Sequence, residues 1–123
     1  MPVNINDTLT LAFMLDSGAS DVNVPADVVL TLFRTKTLSE QDFIGQQLYR
    51  LADGSSVPSN TFRIRSLKVG NLQLKNVVGN VGDVSGIPLL GQSFLSRLGR
   101  WSVDNQRHVL MLEGEATANN GVQ

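Results

Sequence analysis

Turn-forming residues recur at short intervals along this chain, and they limit how long any of its helices or strands can be. Stretches of alternating apolar and polar residues are interrupted every few positions by Gly, Asn, Asp or Ser. Such alternation is typical of strands with one buried face, and closely spaced turns keep the strands short. The pattern predicts a mainly β protein. Because 123 residues suit one domain, we expect a single domain over 1–112 and a disordered, apolar-poor tail over 113–123.

Some segments predict individual elements. Residues 9–15 are apolar almost throughout, which favours a strand covered on both faces. Short helices are expected over 25–33, where Pro25 suits a helix start, and over 93–98. A hairpin is expected with Asp53-Gly54 at its tip, since this dipeptide accepts the positive φ angles of tight turns.

Charge and residue usage exclude several classes of function. Ten Lys and Arg against eleven Asp and Glu leave a net charge of −1, so we expect no nucleic-acid partner and no acidic membrane surface as partner. The absence of Cys excludes disulfides and thiol catalysis, and His108 is the one histidine. We therefore expect no metal and no cofactor. No apolar run is long enough to cross a bilayer, so we expect a soluble domain, cytoplasmic or periplasmic, with any leader or anchor outside this chain.

The informative motif is Phe-Met-Leu-Asp-Ser-Gly-Ala-Ser, which spans 13–20. An apolar strand here delivers the carboxyl group of Asp16 at its end, and the motif holds no Lys or Arg to neutralise it. Asp-Ser-Gly is also a common turn sequence, so a purely structural role is the alternative.

The flanking segments favour a catalytic role. After the Asp-Ser-Gly-Ala motif come the glycine-tipped hairpin at mid-chain and then Pro-Leu-Leu-Gly at 88–91, which leads into a helix. This order and spacing resembles the retropepsin-like aspartic proteases, particularly their bacterial single-domain members. The resemblance covers about 3–112 and implies a small closed β-barrel of the retropepsin type with one or two short helices.

The same resemblance implies an aspartic endopeptidase. Peptide hydrolysis without a metal or covalent intermediate needs a general base and a general acid, and two carboxyl groups that share one proton supply both. Because the chain holds one such Asp-Ser-Gly, the second aspartate must come from a second copy. The implied protein is a homodimer that acts on an extended peptide or protein substrate.

The resemblance assigns roles to single residues. Asp16 looks like the catalytic aspartate, Ser17 matches the residue whose hydroxyl braces the two active-site loops, and Gly18 matches the residue whose backbone approaches the substrate. The remaining matches are substrate-binding positions: Ala19 in the cleft, Ala52, Asp53, Gly54 and Ser55 at the tip of the flap, and the apolar Leu89 and Leu90.

Departures from the retroviral pattern keep two alternatives open. The retroviral enzymes join an acidic residue and an arginine in an interface salt bridge at the positions that Ser20 and Gln92 occupy here. The flap tip is Asp-Gly-Ser rather than a run of glycines, and an extra hairpin is expected over 101–112. One alternative is therefore a catalytically weak or inactive peptide-binding or dimerisation module. A more distant alternative is an unrelated β-barrel in which Asp-Ser-Gly is only a turn.

Overall fold

The computed structural model describes residues 1–45, 48–99, 101–104 and 109–112. Within these ranges two α-helices, α1 (Ala26–Arg34) and α2 (Gln92–Leu95), are set among eleven strands, and a 3-10 turn covers Glu40–Asp42. The strands are β1 (Pro2–Ile5), β2 (Leu9–Ala12), β3 (Met14–Leu15), β4 (Val22–Pro25), β5 (Tyr49–Arg50), β6 (Ser56–Val57), β7 (Thr61–Val69), β8 (Leu72–Gly82), β9 (Leu89–Leu90), β10 (Trp101–Asp104) and β11 (Val109–Leu112).

The main sheet of the described ranges has seven strands in the order β2-β1-β7-β8-β4-β9-β3. Its two edge strands, β2 and β3, are consecutive in the chain and are joined only by Phe13. One residue can connect opposite edges only if the sheet curls back on itself, so the sheet forms a nearly closed barrel. The predicted β-barrel with two short helices is confirmed.

The prediction of one strand over 9–15, buried on both faces, is wrong. Leu9–Ala12 pairs with β1 at one edge, whereas Met14–Leu15 pairs with β9 at the other. Thr10 and Ala12 are exposed on the edge strand, and Met14 is 54% exposed. Phe13, the residue between the two strands, is buried, and its backbone N–H donates to the Met1 carbonyl at 2.8 Å. The apolar run therefore connects the two edge strands of the sheet and does not form one central strand.

The core lies inside the barrel and under α1. Helix α1 begins after Pro25, whose fixed φ of −54° suits a helix start, and Asp27 occupies its first turn. Its apolar face packs on the barrel and carries the buried side chains of Ala26, Val29, Leu30 and Leu32. The strands fill the interior from the other side with buried Val3, Ile5, Phe62, Ile64, Leu67 and Val69.

Helix α1 matches the helix expected over 25–33 to within one residue at each end, whereas α2 is shorter than the helix expected over 93–98. The expected C-terminal hairpin is present as the antiparallel pair of β10 and β11. Its turn, His108 and the tail over 113–123 lie outside the described residues. No helix in the described part of the chain is both long and apolar enough to cross a membrane.

Candidate active site

Asp16 stands at the end of β3, where that strand runs parallel to β9. Met14 and Leu15 face Leu89 and Leu90 in the register of this pair. The backbone N–H of Met14 donates to Pro88 at 2.9 Å, and that of Asp16 donates to Leu90 at 3.0 Å. The pairing therefore continues up to Asp16 and fixes the point at which the chain leaves the sheet.

The carboxyl group of Asp16 is held by the loop that follows it. The Gly18 N–H donates to Asp16 Oδ1 at 2.9 Å, and the Ala19 N–H donates to the Asp16 carbonyl at 3.1 Å. A Cβ at Gly18 would lie 3.3 Å from the same Oδ1, a tight contact that would require the carboxylate to shift by a few tenths of an ångström. In the described ranges no salt bridge involves Asp16. The carboxylate is half-buried, oriented by an amide, and not neutralised by a cation there.

The first turn of α2 supports the same loop from the side. The backbone N–H groups of Gln92 and Ser93 donate to the carbonyls of Ala19 and Ser20, both at 2.8 Å. The Gln92 side chain adds a third contact, because its Nε2 donates to the Ser17 carbonyl at 2.8 Å. One helical turn therefore binds three of the four carbonyls at positions 17–20.

Gly91 allows this close packing. A Cβ at Gly91 would lie 2.2 Å from the Asp21 carbonyl oxygen and 2.7 Å from that of Ala19. Both obstacles are backbone atoms, which cannot rotate away as a flexible side chain can. The residue that follows Leu89-Leu90 must therefore be glycine if α2 is to lie against the loop.

Ser93 connects this assembly to the barrel. Its Oγ accepts from the Val22 N–H at 3.1 Å and donates to the Val78 carbonyl at 2.6 Å. One hydroxyl thus ties α2 to two neighbouring strands, β4 and β8. The Asp16 loop is attached through α2 to the rigid part of the fold.

The hairpin predicted at mid-chain, the candidate flap, is present and short. Strands β5 and β6 pair antiparallel, and the turn between them closes with the Leu51 N–H donating to Ser55 at 2.7 Å. Gly54 has a φ of +91°, in the left-handed region that favours glycine. Ala52, Asp53 and Gly54 at its tip are exposed.

Asp53 gives the flap tip its charge. The Ser55 hydroxyl and the Ser55 backbone N–H both donate to Asp53 Oδ1, the backbone bond being 2.9 Å long. Since both bonds stabilise the ionised carboxylate, first the hydroxyl and then the amide of Ser55 hold the pKa of Asp53 below its ordinary value. The tip is therefore anionic over the physiological pH range.

The structure brings one part of the predicted site together and leaves another apart. The 16–19 loop and β9 are in direct contact, because the Asp16 N–H donates to the Leu90 carbonyl. The Leu90 side chain is completely buried in the core, whereas half-buried Leu89 keeps some surface. Within the described ranges no hydrogen bond joins the flap tip, 52–55, to this loop.

Sequence reasoning missed three contributors to this region. In the sequence Gln92 stands out only for what it replaces in the retroviral pattern, but its side chain binds the 16–19 loop of its own chain. Met14 and Ile87, 54% and 60% exposed, place apolar surface on β3 and just before β9. The position of Met14, two residues before Asp16, could have indicated that it contributes surface here. The prediction that 9–15 is buried on both faces excluded such a role.

No group of three or more side chains suited to metal binding comes together in the ranges that the structure describes.

Comparisons with known proteins agree with this geometry. A family model described as aspartyl protease matches residues 1–94. The crystal structure of a retropepsin-like aspartic protease from Rickettsia conorii is similar, with a TM-score of 0.59 and 26% sequence identity. That match covers 91% of this chain and 79% of the other. Comparison with curated proteins gave no match.

Proposed function

The chain belongs to the aspartyl protease family, and from this premise we propose that two copies form a homodimeric endopeptidase with one Asp16 from each copy at its centre. The observation that carries the proposal is the state of Asp16. Its carboxylate is half-buried at a strand end, is oriented by the Gly18 amide, and has no ion-pair partner among the described residues. A carboxylate held in this way is free to exchange protons with water and substrate.

The dimer follows from the number of aspartates that the reaction needs. The chain has one strand-end Asp-Ser-Gly; the exposed Asp83 precedes Val-Ser-Gly and lies in a different loop. A two-fold axis beside Ser17 would bring two Asp16 carboxyl groups together, since such an interface is self-complementary. The exposed Ser17 is available to brace the two loops across the axis.

The proposed reaction uses the two carboxyl groups in different protonation states. The ionised Asp16 removes a proton from a water molecule, whose oxygen attacks the scissile carbonyl carbon. The protonated Asp16 of the second copy donates its proton to the carbonyl oxygen, which gives a tetrahedral diol. The diol then returns one hydroxyl proton to a carboxylate, the amine nitrogen takes a proton from the other, and the C–N bond breaks.

Substrate binding is proposed for the surfaces on either side of the loop. The flaps, centred on Gly54, would close over an extended peptide and offer it backbone hydrogen bonds, as in strand addition. Met14, Ile87 and Leu89 would provide apolar surface for a substrate side chain near the scissile bond. Ala19 would line the cleft beside Asp16, where a larger side chain would narrow it.

The experiment that tests the proposal replaces the catalytic carboxylate alone. Asp16→Asn should reduce cleavage of a peptide library to background, because an amide cannot accept the proton from water. Asp83→Asn is the matched control and should cut like the parent. Sedimentation and circular dichroism should show the same dimer and fold for all three proteins. Equal cleavage by Asp16→Asn and the parent would contradict the proposal, and a tight dimer that binds peptide without ever cutting it would favour the binding-module alternative.

A further inference from the structure

One peptide group in the active-site loop is held at both of its ends. Its carbonyl belongs to Ser17 and accepts from Gln92 Nε2 at 2.8 Å. Its N–H belongs to Gly18 and donates to Asp16 Oδ1 at 2.9 Å. Because a peptide group is planar and rigid, the orientation of the carbonyl fixes the direction of the N–H. The side chain of Gln92 is therefore connected to the carboxylate through a single rigid unit.

We propose that Gln92 is a positioning residue for Asp16, which it holds in place through the peptide group between Ser17 and Gly18. The inference rests on the proposed function, since the position of the carboxylate matters for catalysis only if Asp16 carries it. It assigns to Gln92 a role within its own chain, at the position where the retroviral pattern places an interface arginine.

The surroundings of this peptide group explain why a brace is needed. Ser17 and Gly18 are both exposed, so water competes for the carbonyl and for the N–H. The Gln92 side chain starts from a fixed point, because its own backbone N–H is bound to the Ala19 carbonyl at 2.8 Å. A donor at the carbonyl also polarises the peptide group, which makes its N–H a stronger hydrogen-bond donor to Asp16.

Loss of the Gln92 amide should therefore act on the carboxylate rather than on the substrate-binding surfaces. Water would bind the Ser17 carbonyl in place of the side chain, and the peptide group would rotate more freely. Small displacements of a reacting group cost large factors in rate. Contacts made by the flap and by Leu89 would be unchanged, so substrate affinity should change little.

The test compares Gln92→Met with Gln73→Met. Methionine keeps the length of the side chain and removes the amide donor. Gln73 is a matched control on β8, where its Nε2 donates to Ser66 Oγ at 2.8 Å. We expect Gln92→Met to lower kcat about tenfold or more while KM stays within about twofold. We expect Gln73→Met to leave both constants unchanged.

A second readout does not depend on activity. Hydrogen exchange of the Gly18 amide, followed by NMR, should be faster in Gln92→Met than in the parent and unchanged in Gln73→Met. If the parent never cleaves peptide but this amide responds, the proposed function fails and the bracing geometry stands. If the parent cleaves and neither kcat nor the amide responds, the positioning role fails and the proposed function stands.

Two further outcomes separate positioning from general stability. Parallel losses of melting temperature, dimer affinity and kcat, with the Gly18 amide still protected, would assign Gln92 a structural role and overturn the proposal. Should Gln92→Met not fold, Gln92→Glu, which has the same shape and no N–H donor, takes its place. Unchanged kcat and an unchanged Gly18 amide in that variant would overturn the proposal as well.

Discussion

In the candidate active-site region, Gly91 is the position where an added side chain would be tolerated least. A Cβ there would lie 2.2 Å from the Asp21 carbonyl oxygen, far inside van der Waals contact. Gly91→Ala should therefore push α2 away from the loop, lower the free energy of unfolding by about 1–3 kcal/mol and reduce cleavage. Thermal or denaturant unfolding beside a peptide assay measures both effects.

The control for that prediction is Gly99→Ala. Gly99 has a φ of +78°, but no atom of the described residues lies within 4 Å of its Cβ position, so we expect this change to carry only the conformational cost of about 1 kcal/mol. Activity should survive in the control. A smaller loss of stability in Gly91→Ala than in Gly99→Ala would show that the loop does not rest on α2 as described.

Single residues of the site could be named from the sequence because their chemistry is local. An apolar strand followed by Asp-Ser-Gly, together with the later Pro-Leu-Leu-Gly, makes Asp16 the candidate catalytic residue, although Asp-Ser-Gly alone is also a common turn sequence. Gln92 could not be assigned in this way. Its amide reaches Ser17, which is 75 positions away in the chain, and no local pattern reports such a contact.

At the scale of elements, we expect the turn at the tip of the candidate flap to depend on pH. The Ser55 hydroxyl is the largest cause of the lowered pKa of Asp53. Ser55→Ala should therefore raise that pKa, though not fully to its ordinary value, because the backbone N–H of residue 55 still donates to the carboxylate. Carboxyl ¹³C shifts of Asp53 measured against pH give the midpoint in each protein. An unchanged midpoint in Ser55→Ala would contradict this description of the turn.

The sign of the pH effect follows from the same shift. A carboxyl group whose pKa is lowered by the folded turn stabilises that turn at pH values above its ordinary pKa. The stabilisation is lost as the pH falls from there through the lowered pKa, because the protonated group no longer attracts both Ser55 donors. Order at the flap tip should therefore persist at neutral pH and decrease only in acid.

Sequence periodicity predicted short elements better than it predicted their pairing. The positions of helix α1 and of the mid-chain hairpin could be predicted, because Pro25 marks the start of the helix and Asp53-Gly54 marks the tip of the hairpin. The division of 9–15 into β2 and β3 was missed, since each piece is apolar enough to continue the other. What separates them is the closure of the barrel, which places the two strands at opposite edges of the sheet.

For the whole molecule, barrel closure and the candidate active site are linked. The chain crosses from one edge of the sheet to the other at Phe13, and Asp16 follows immediately on the second edge. There β9 and α2 secure the loop, as the hydrogen bonds from Gln92 and Ser93 show. The family and the barrel could be inferred from the sequence, because the order of the motifs can be read along the chain without a structure. The support of the loop could not, since it depends on contacts that only the closed barrel creates.

The proposed assembly makes activity depend on two chains at once, and mixing parent with Asp16→Asn protein tests this most directly. Both proteins are combined at constant total concentration, allowed to exchange subunits, and assayed for peptide cleavage. If each site needs Asp16 from both copies, the rate should follow the square of the parent fraction, so an equal mixture keeps about one quarter of the parent rate. A rate that falls only in proportion to the parent fraction, to about one half, would mean that one chain suffices and would contradict the shared site.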